Sequence, residues 1–219
     1  MDLTVYTNGG SFERTGLAWD ACRGYLRAQA VGTTTMQNCK LSYWCKDWAS
    51  STHLFGDSYF SMYADRWTYY LRNAGFDDNL INGYGGRTAQ DALPVAKTVL
   101  EHSQPKRVIW CLGMNNADSG AVNANWKSSV EELAAICDAR NIELILATIP
   151  NVASVDNTYK NAYVRASGRR YIDFAAAVGA SNDTTWYTGM LSSDNTHPTA
   201  QGAIALYTQA IADVPELAT

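Results

Sequence analysis

The sequence predicts an α/β protein, a three-layer α/β/α sandwich around a mostly parallel sheet, preceded by a short β-rich segment. Three observations carry this reading. From Ser51 onward, short apolar runs alternate with longer stretches of helical periodicity, which implies parallel strands joined by right-handed crossovers. Val108-Ile-Trp-Cys-Leu112 is apolar throughout, as in a strand covered on both faces. Glycine- and asparagine-rich loops recur just after the apolar runs, where open α/β sheets hold their ligands.

Residues 1–50 read differently from the rest. Leu3 to Tyr6 is strand-like, Asn8-Gly9-Gly10 is a hairpin-type turn, and Gly24 to Val31 and Met36 to Cys45 alternate. The segment holds Trp19, Trp44 and Trp48 of the seven tryptophans. It reads either as an extension that buries its aromatics against the main domain or as the end of an upstream β-domain. The main domain spans 51–219. Its first strand contains Leu54 and hands over at Gly56-Asp57-Ser58 to a helix from Tyr59 to Asn73, with Tyr59, Tyr63, Trp67 and Tyr70 at helical spacing. A short strand Asn79 to Asn82 precedes a helix Thr88 to His102. After the strand Val108 to Leu112 come a helix Asn123 to Arg140 and the buried strand Ile142 to Ile149. A short helix Tyr159 to Ser167, a last strand Arg170 to Phe174, and a helix Thr199 to Ala212 introduced by Pro198 complete the chain.

Composition narrows the function classes. A hydrophobic fraction of 47% with 17% charged residues belongs to a globular core-former. Seventeen basic residues stand against 21 acidic, net −4, with no basic cluster, so a nucleic-acid partner is not expected. No run approaches a membrane span, and the amino end lacks a signal-peptide pattern. An exported protein would therefore carry its leader upstream or have lost it. Of five cysteines, Cys111 and Cys137 lie in apolar segments and read as small core residues. Cys22, Cys39 and Cys45 allow at most one disulfide, leaving the redox compartment open.

Four polar segments concentrate the chemistry: Gly56-Asp57-Ser58, Asn82 to Thr88, Gly113-Met114-Asn115-Asn116, and Asp194 to Pro198. Parallel topology brings the first three to one sheet edge, and the fourth reaches them if the last helix packs beside the first. A serine needs a base to become a nucleophile. Of the three histidines only His197 has a carboxylate three residues before it, so Asp194 can hold one ring nitrogen while the other faces Ser58. The expected Ser58 Oγ to His197 Nε2 distance is about 2.6–3.2 Å. The oxyanion would need donors already aimed at it, which Ser58 N–H, Gly86 N–H and the Asn115 amide can supply. The loops lack the further ligands a metal site would require, so no metal or cofactor is expected.

These residues resemble the SGNH hydrolases, also called GDSL esterases and lipases, over about residues 51–214. The G-D-S block matches Gly56-Asp57-Ser58, with Tyr59 where leucine is usual; the glycine block is similar to Asn82–Thr88 and carries the oxyanion glycine onto Gly86. The G-x-N-D block looks like Gly113 to Asn116, with Asn116 for the usual aspartate, and D-x-x-H-P matches Asp194 to Pro198. The larger α/β-hydrolase elbow G-x-S-x-G is absent. The resemblance implies an SGNH-type, flavodoxin-like fold and a serine esterase acting through an acyl-enzyme. Tyr84, Arg87, Trp186 and Tyr187 are candidates to contact a sugar, and no long apolar lid segment favours a lipid. The expected reaction is removal of a small acyl group, such as acetyl, from a small-molecule or polysaccharide ester. The competing readings are a lipase or thioesterase of the same family, and a carbohydrate-binding module without turnover. A polysaccharide substrate would favour an extracellular or cell-surface location.

Overall fold

Alternation along the first strand, β1 (Thr52–Gly56), sends Leu54 into one core cluster and Phe55 into another. The computed structural model describes residues 51–61, 65–77, 80–116, 124–180 and 185–218, so the readings for residues 1–50 lie outside the described residues. The same sorting recurs in β3 (Arg107–Cys111), where Ile109 and Cys111 face one cluster and Val108 and Trp110 the other. In β4 (Glu143–Ala147) Ile145 and Ala147 oppose Leu144 and Leu146. A period of two on strands buried on both faces is what produces two apolar layers around one sheet. With β2 (Ile81–Gly83) and β5 (Tyr171–Ile172), the sheet has the order β2-β1-β3-β4-β5 and every pair is parallel.

The helices fill the outer layers. α1 (Trp67–Asn73), α5 (Phe174–Ala177) and α6 (Ala200–Asp213) cover the face of Leu54 and Ile109. α2 (Ala89–His102) and α3 (Ala124–Ala139) cover the face of Phe55 and Val108. Val164 of α4 (Thr158–Ala166) joins this second cluster. α6 packs beside α1, with the Tyr70 and Tyr207 rings 6.2 Å apart between centroids, which is the placement that lets the carboxyl-terminal loop reach the first strand. Cys111 and Cys137 are buried free thiols, and burial pushes Cys137 up to about 12. Among the described residues no helix is long and apolar enough to cross a membrane.

Three elements differ from the sequence reading. The expected helix Tyr59–Asn73 is instead a single 3-10 turn, Ser58–Phe60, followed by extended Ser61 and a helix that begins only at Trp67. The cause is capture of the carbonyls an α-helix would need. Arg66 Nε donates to Ser58 O at 2.7 Å and Thr68 Oγ1 to Ser61 O at 2.8 Å. β2 is Ile81–Gly83, one residue later than expected at its end, because Gly83 pairs with Gly56. The last strand is only Tyr171–Ile172: the Asp173 side chain accepts from Ala176 N and turns Phe174 into the start of α5.

Candidate active site

Register aligns the first three loops. Gly56 pairs with Gly83 on one side and Cys111 on the other, so the loops after β1, β2 and β3 leave the sheet side by side. At the end of β1 the chain bends because Asp57 caps the 3-10 turn, accepting from Tyr59 N at 3.1 Å. The tight bend demands glycine beneath it. A Cβ on Gly56 would lie 2.2 Å from the Phe60 ring, and one on Gly83 would lie 2.4 Å from the Phe60 carbonyl oxygen. Ser58 therefore rides on a packed foundation. The long helix expected behind it is absent, so its oriented N–H groups belong to one turn and not to a macrodipole.

His197 Nε2 lies 2.8 Å from Ser58 Oγ, and His197 Nδ1 lies 2.7 Å from Asp194 Oδ2. Asp194 is anchored by its own loop: Oδ1 accepts from Ser192 Oγ at 2.6 Å and from Thr196 N and His197 N at 2.9 Å each. Partial burial opposes its ionisation, but the His197 N–H, the Ser192 hydroxyl, the His197 ring and the Thr196 N–H hold its carboxyl well below the usual carboxylate range. Tyr59 completes the connection. Its buried phenol donates to Thr196 O at 2.5 Å and its ring lies 5.9 Å from the His197 ring between centroids. The turn that carries Ser58 thus also holds the loop that carries His197.

The second half of the site is built on the loops after β2 and β3. Gly86 has φ +73° and open space where a Cβ would sit, a backbone position that glycine adopts without strain. Asn115 Nδ2 donates to Arg87 O at 3.0 Å, which joins the two loops and leaves its second N–H for another acceptor. Asn116 stands where the resemblance expects aspartate, and the amide is used at both ends. Its Oδ1 accepts from Ala89 N at 2.9 Å and its Nδ2 donates to Gln90 Oε1 at 2.6 Å, capping α2. A carboxylate could make only the first of these bonds.

Two further titratable groups flank the turn. Burial pushes the Asp57 carboxyl up to about 6 against hydrogen bonds from Tyr59 N and Met114 N. His53, on β1, is wholly buried, and burial lowers it to about 4 against the charge of Asp77. Of the candidate sugar contacts, Trp186 is 8% exposed and its Nε1 donates to Asn151 O at 2.8 Å, so it packs in the core. Tyr187 is 59% exposed, Arg87 is exposed and Tyr84 is half-buried. Tyr59 and Ser192 hold the site without a role read for them in the sequence; only Tyr59 leaves a signal, as a departure from the usual leucine. His53 enters neither hydrogen bond of the serine–histidine–aspartate set.

The sequence model of the GDSL-like Lipase/Acylhydrolase family matches residues 50–204. The chain belongs to this family. It is accordingly a hydrolase acting on ester bonds. No curated protein matches the sequence. Among solved structures, a GDSL-like lipase from Bacteroides thetaiotaomicron VPI-5482 superposes with a TM-score of 0.62 at 16% identity, covering 80% of this chain and 92% of that one. TesA superposes at 0.58 and 20% identity, covering 76% and 99%. A carbohydrate esterase family 3 protein from Talaromyces cellulolyticus superposes at 0.56 and 19% identity, covering 77% and 98%. At these identities the likeness is one of fold.

Proposed function

We propose that this GDSL-family hydrolase is a serine esterase that removes a small acyl group, acetyl above all, from a carbohydrate, with residues 51–219 as its hydrolase domain. The observation that carries the proposal is the continuous path Ser58 Oγ–His197 Nε2 at 2.8 Å and His197 Nδ1–Asp194 Oδ2 at 2.7 Å. Ser58 Oγ attacks the ester carbonyl as its proton passes to His197 Nε2. The carbonyl oxygen gains the negative charge, received by Ser58 N–H, Gly86 N–H and the free N–H of Asn115. Collapse breaks the bond to the alcohol oxygen, which takes the proton from His197. Water then gives its proton to His197 and attacks the acyl-enzyme, and the second collapse returns the proton to Ser58 Oγ and frees the acid. Asp194 keeps Nδ1 as the protonated nitrogen and stabilises the imidazolium.

A small acyl group on a sugar suits the surroundings. Gly85 and Gly86 are exposed with open space beside them, and the exposed Arg87 next to Gly86 is a donor for a hydroxylated ligand. Release of p-nitrophenol from its acetate ester by wild type, abolished in Ser58→Ala, tests the chemistry. Binding of sugar without hydrolysis by wild type would make the protein a binding module. A series from acetyl to octanoyl esters tests the acyl group, and a preference for octanoyl would favour a lipase or thioesterase instead.

A further inference from the structure

Lys160 lies on the polar, amino-terminal part of α4, yet its side chain is among the largest fully buried ones in the molecule, with the residue 2% exposed. A buried ammonium is costly unless its donors are satisfied. All three N–H groups of Lys160 are committed, at 2.8 Å each, to Gly113 O, Asn116 O and Asn157 Oδ1. The first two acceptors are the two ends of the turn that displays Asn115, itself closed by Asn116 N donating to Gly113 O at 3.1 Å. The third belongs to Asn157, whose backbone N–H donates to Asn151 Oδ1 and whose side-chain Nδ2 donates to Pro150 O, both on the loop after β4.

The turn has little room to find this shape unaided. Gly113 has φ +152°, and a Cβ there would lie 2.4 Å from Ile149 Cδ1 and 2.8 Å from Trp126 Nε1. From the gripped turn a contact runs to the loop after β2, the Asn115 amide donating to Arg87 O beside Gly86. One ammonium thus sits behind the turn whose Asn115 amide joins the loop of Gly86. We infer that Lys160 is a positioning residue that holds the Gly113–Asn116 turn, and through it the Asn115 amide, in place for the oxyanion. The inference rests on the esterase reading above for its catalytic consequence, but not for its structural one.

Lys160→Met keeps the length of the side chain and removes the donors. Amide hydrogen exchange of Asn116 should quicken by about tenfold or more, while the amides of β3 and β4 exchange as in wild type. With an acetyl ester, kcat should fall by about 10–100-fold with KM within about twofold, as expected of a group acting through a transition-state donor. Adding Asn115→Ala to Lys160→Met should cost little beyond Asn115→Ala alone. Lys160→Gln retains donor N–H groups and should give intermediate values, and it carries the same comparison should the Met variant not fold. Unchanged Asn116 exchange in a folded variant overturns the inference, as does a loss of kcat that multiplies fully with that of Asn115→Ala. A wild type that hydrolyses no ester removes the function proposed above and leaves the exchange measurement as the test of this one.

Discussion

The nucleophile's turn and the base's loop meet at 2.8 Å but are held by different means. Ser58 stands on Gly56, Phe60 and Gly83, packed so closely that no Cβ fits at either glycine. His197 hangs from a loop whose Asp194 side chain is 52% exposed and whose Asn195 has φ +58°. That loop is set by hydrogen bonds: four to Asp194 from within it, and one from Tyr59 to Thr196 O. Packing fixes a backbone at the expense of tolerance to change, whereas hydrogen bonds at the surface fix an angle with little stake in global stability. The two halves should therefore fail in different ways.

The largest effect tests the exposed half. His197→Ala should lower kcat by about 10⁴–10⁶-fold while the thermal midpoint stays where it is, and the double variant with Ser58→Ala should be little worse. A large loss of stability would show that the loop supports the fold after all. The next effect tests the buried half through pH. Asp57 is raised from 3.8 to about 6, so between these values the folded state holds a proton that the unfolded chain has released. The contribution of Asp57 is then fully present below about pH 4 and is lost as pH rises through about 6. At neutral pH the loss approaches about 3 kcal/mol, from 1.36 kcal/mol per unit. Urea unfolding of wild type and Asp57→Asn across pH 4–7 should show the wild type falling behind by that order, and a constant difference would refute the burial of a charge there.

Gly83→Ala comes next. Its methyl would meet the Phe60 backbone, so unfolding free energy should drop by about 1–3 kcal/mol, with the kcat of the remaining folded enzyme changed less than its stability. A variant as stable as wild type would show that the foundation yields. The smallest effect crosses between the halves. Tyr59→Phe keeps the ring against His197 and removes only the bond to Thr196 O, worth about 0.5–1.5 kcal/mol. Steady-state kinetics should show kcat down several-fold with KM unchanged and the fold intact. Unchanged kcat would show that the bonds within the loop, to Asp194 and between Ser192 N and His197 O, suffice to hold it.

What the sequence made legible follows the same division. That Ser58, His197 and Asp194 meet could be read because each lies in a short motif whose chemistry is local to a few residues, and the same kind of motif makes Gly86 and Asn115 the proposed donors. β1, β3 and β4 could be read because central strands buried on both faces carry unbroken apolar runs, Leu54-Phe55, Val108 to Cys111 and Leu144 to Ala147. The edge strands β2 and β5 could not be bounded, since register with Gly56 ends one and the Asp173 cap ends the other. Lys160 gave no sign of itself, because a lysine among Thr158, Tyr159 and Asn161 reads as a solvated helix face until its acceptors 44 and 47 residues away are known. Trp186 misled in the opposite sense, an aromatic near the motif that tertiary packing takes into the core.

Acid and base arrive together on one short segment, Asp194 to His197, and their mutual alignment is settled inside Ser192–His197. Whatever lies between Asn116 and Leu191 can therefore change in length without turning Asp194 away from the imidazole. Only one alignment has to be re-established over distance, that of the finished pair with Ser58, and Tyr59, next to the serine, is the residue that gauges it. The segment behaves as a cartridge: preassembled, carried on the surface, and seated by the packing of α6 on α1 together with the Tyr59 bond.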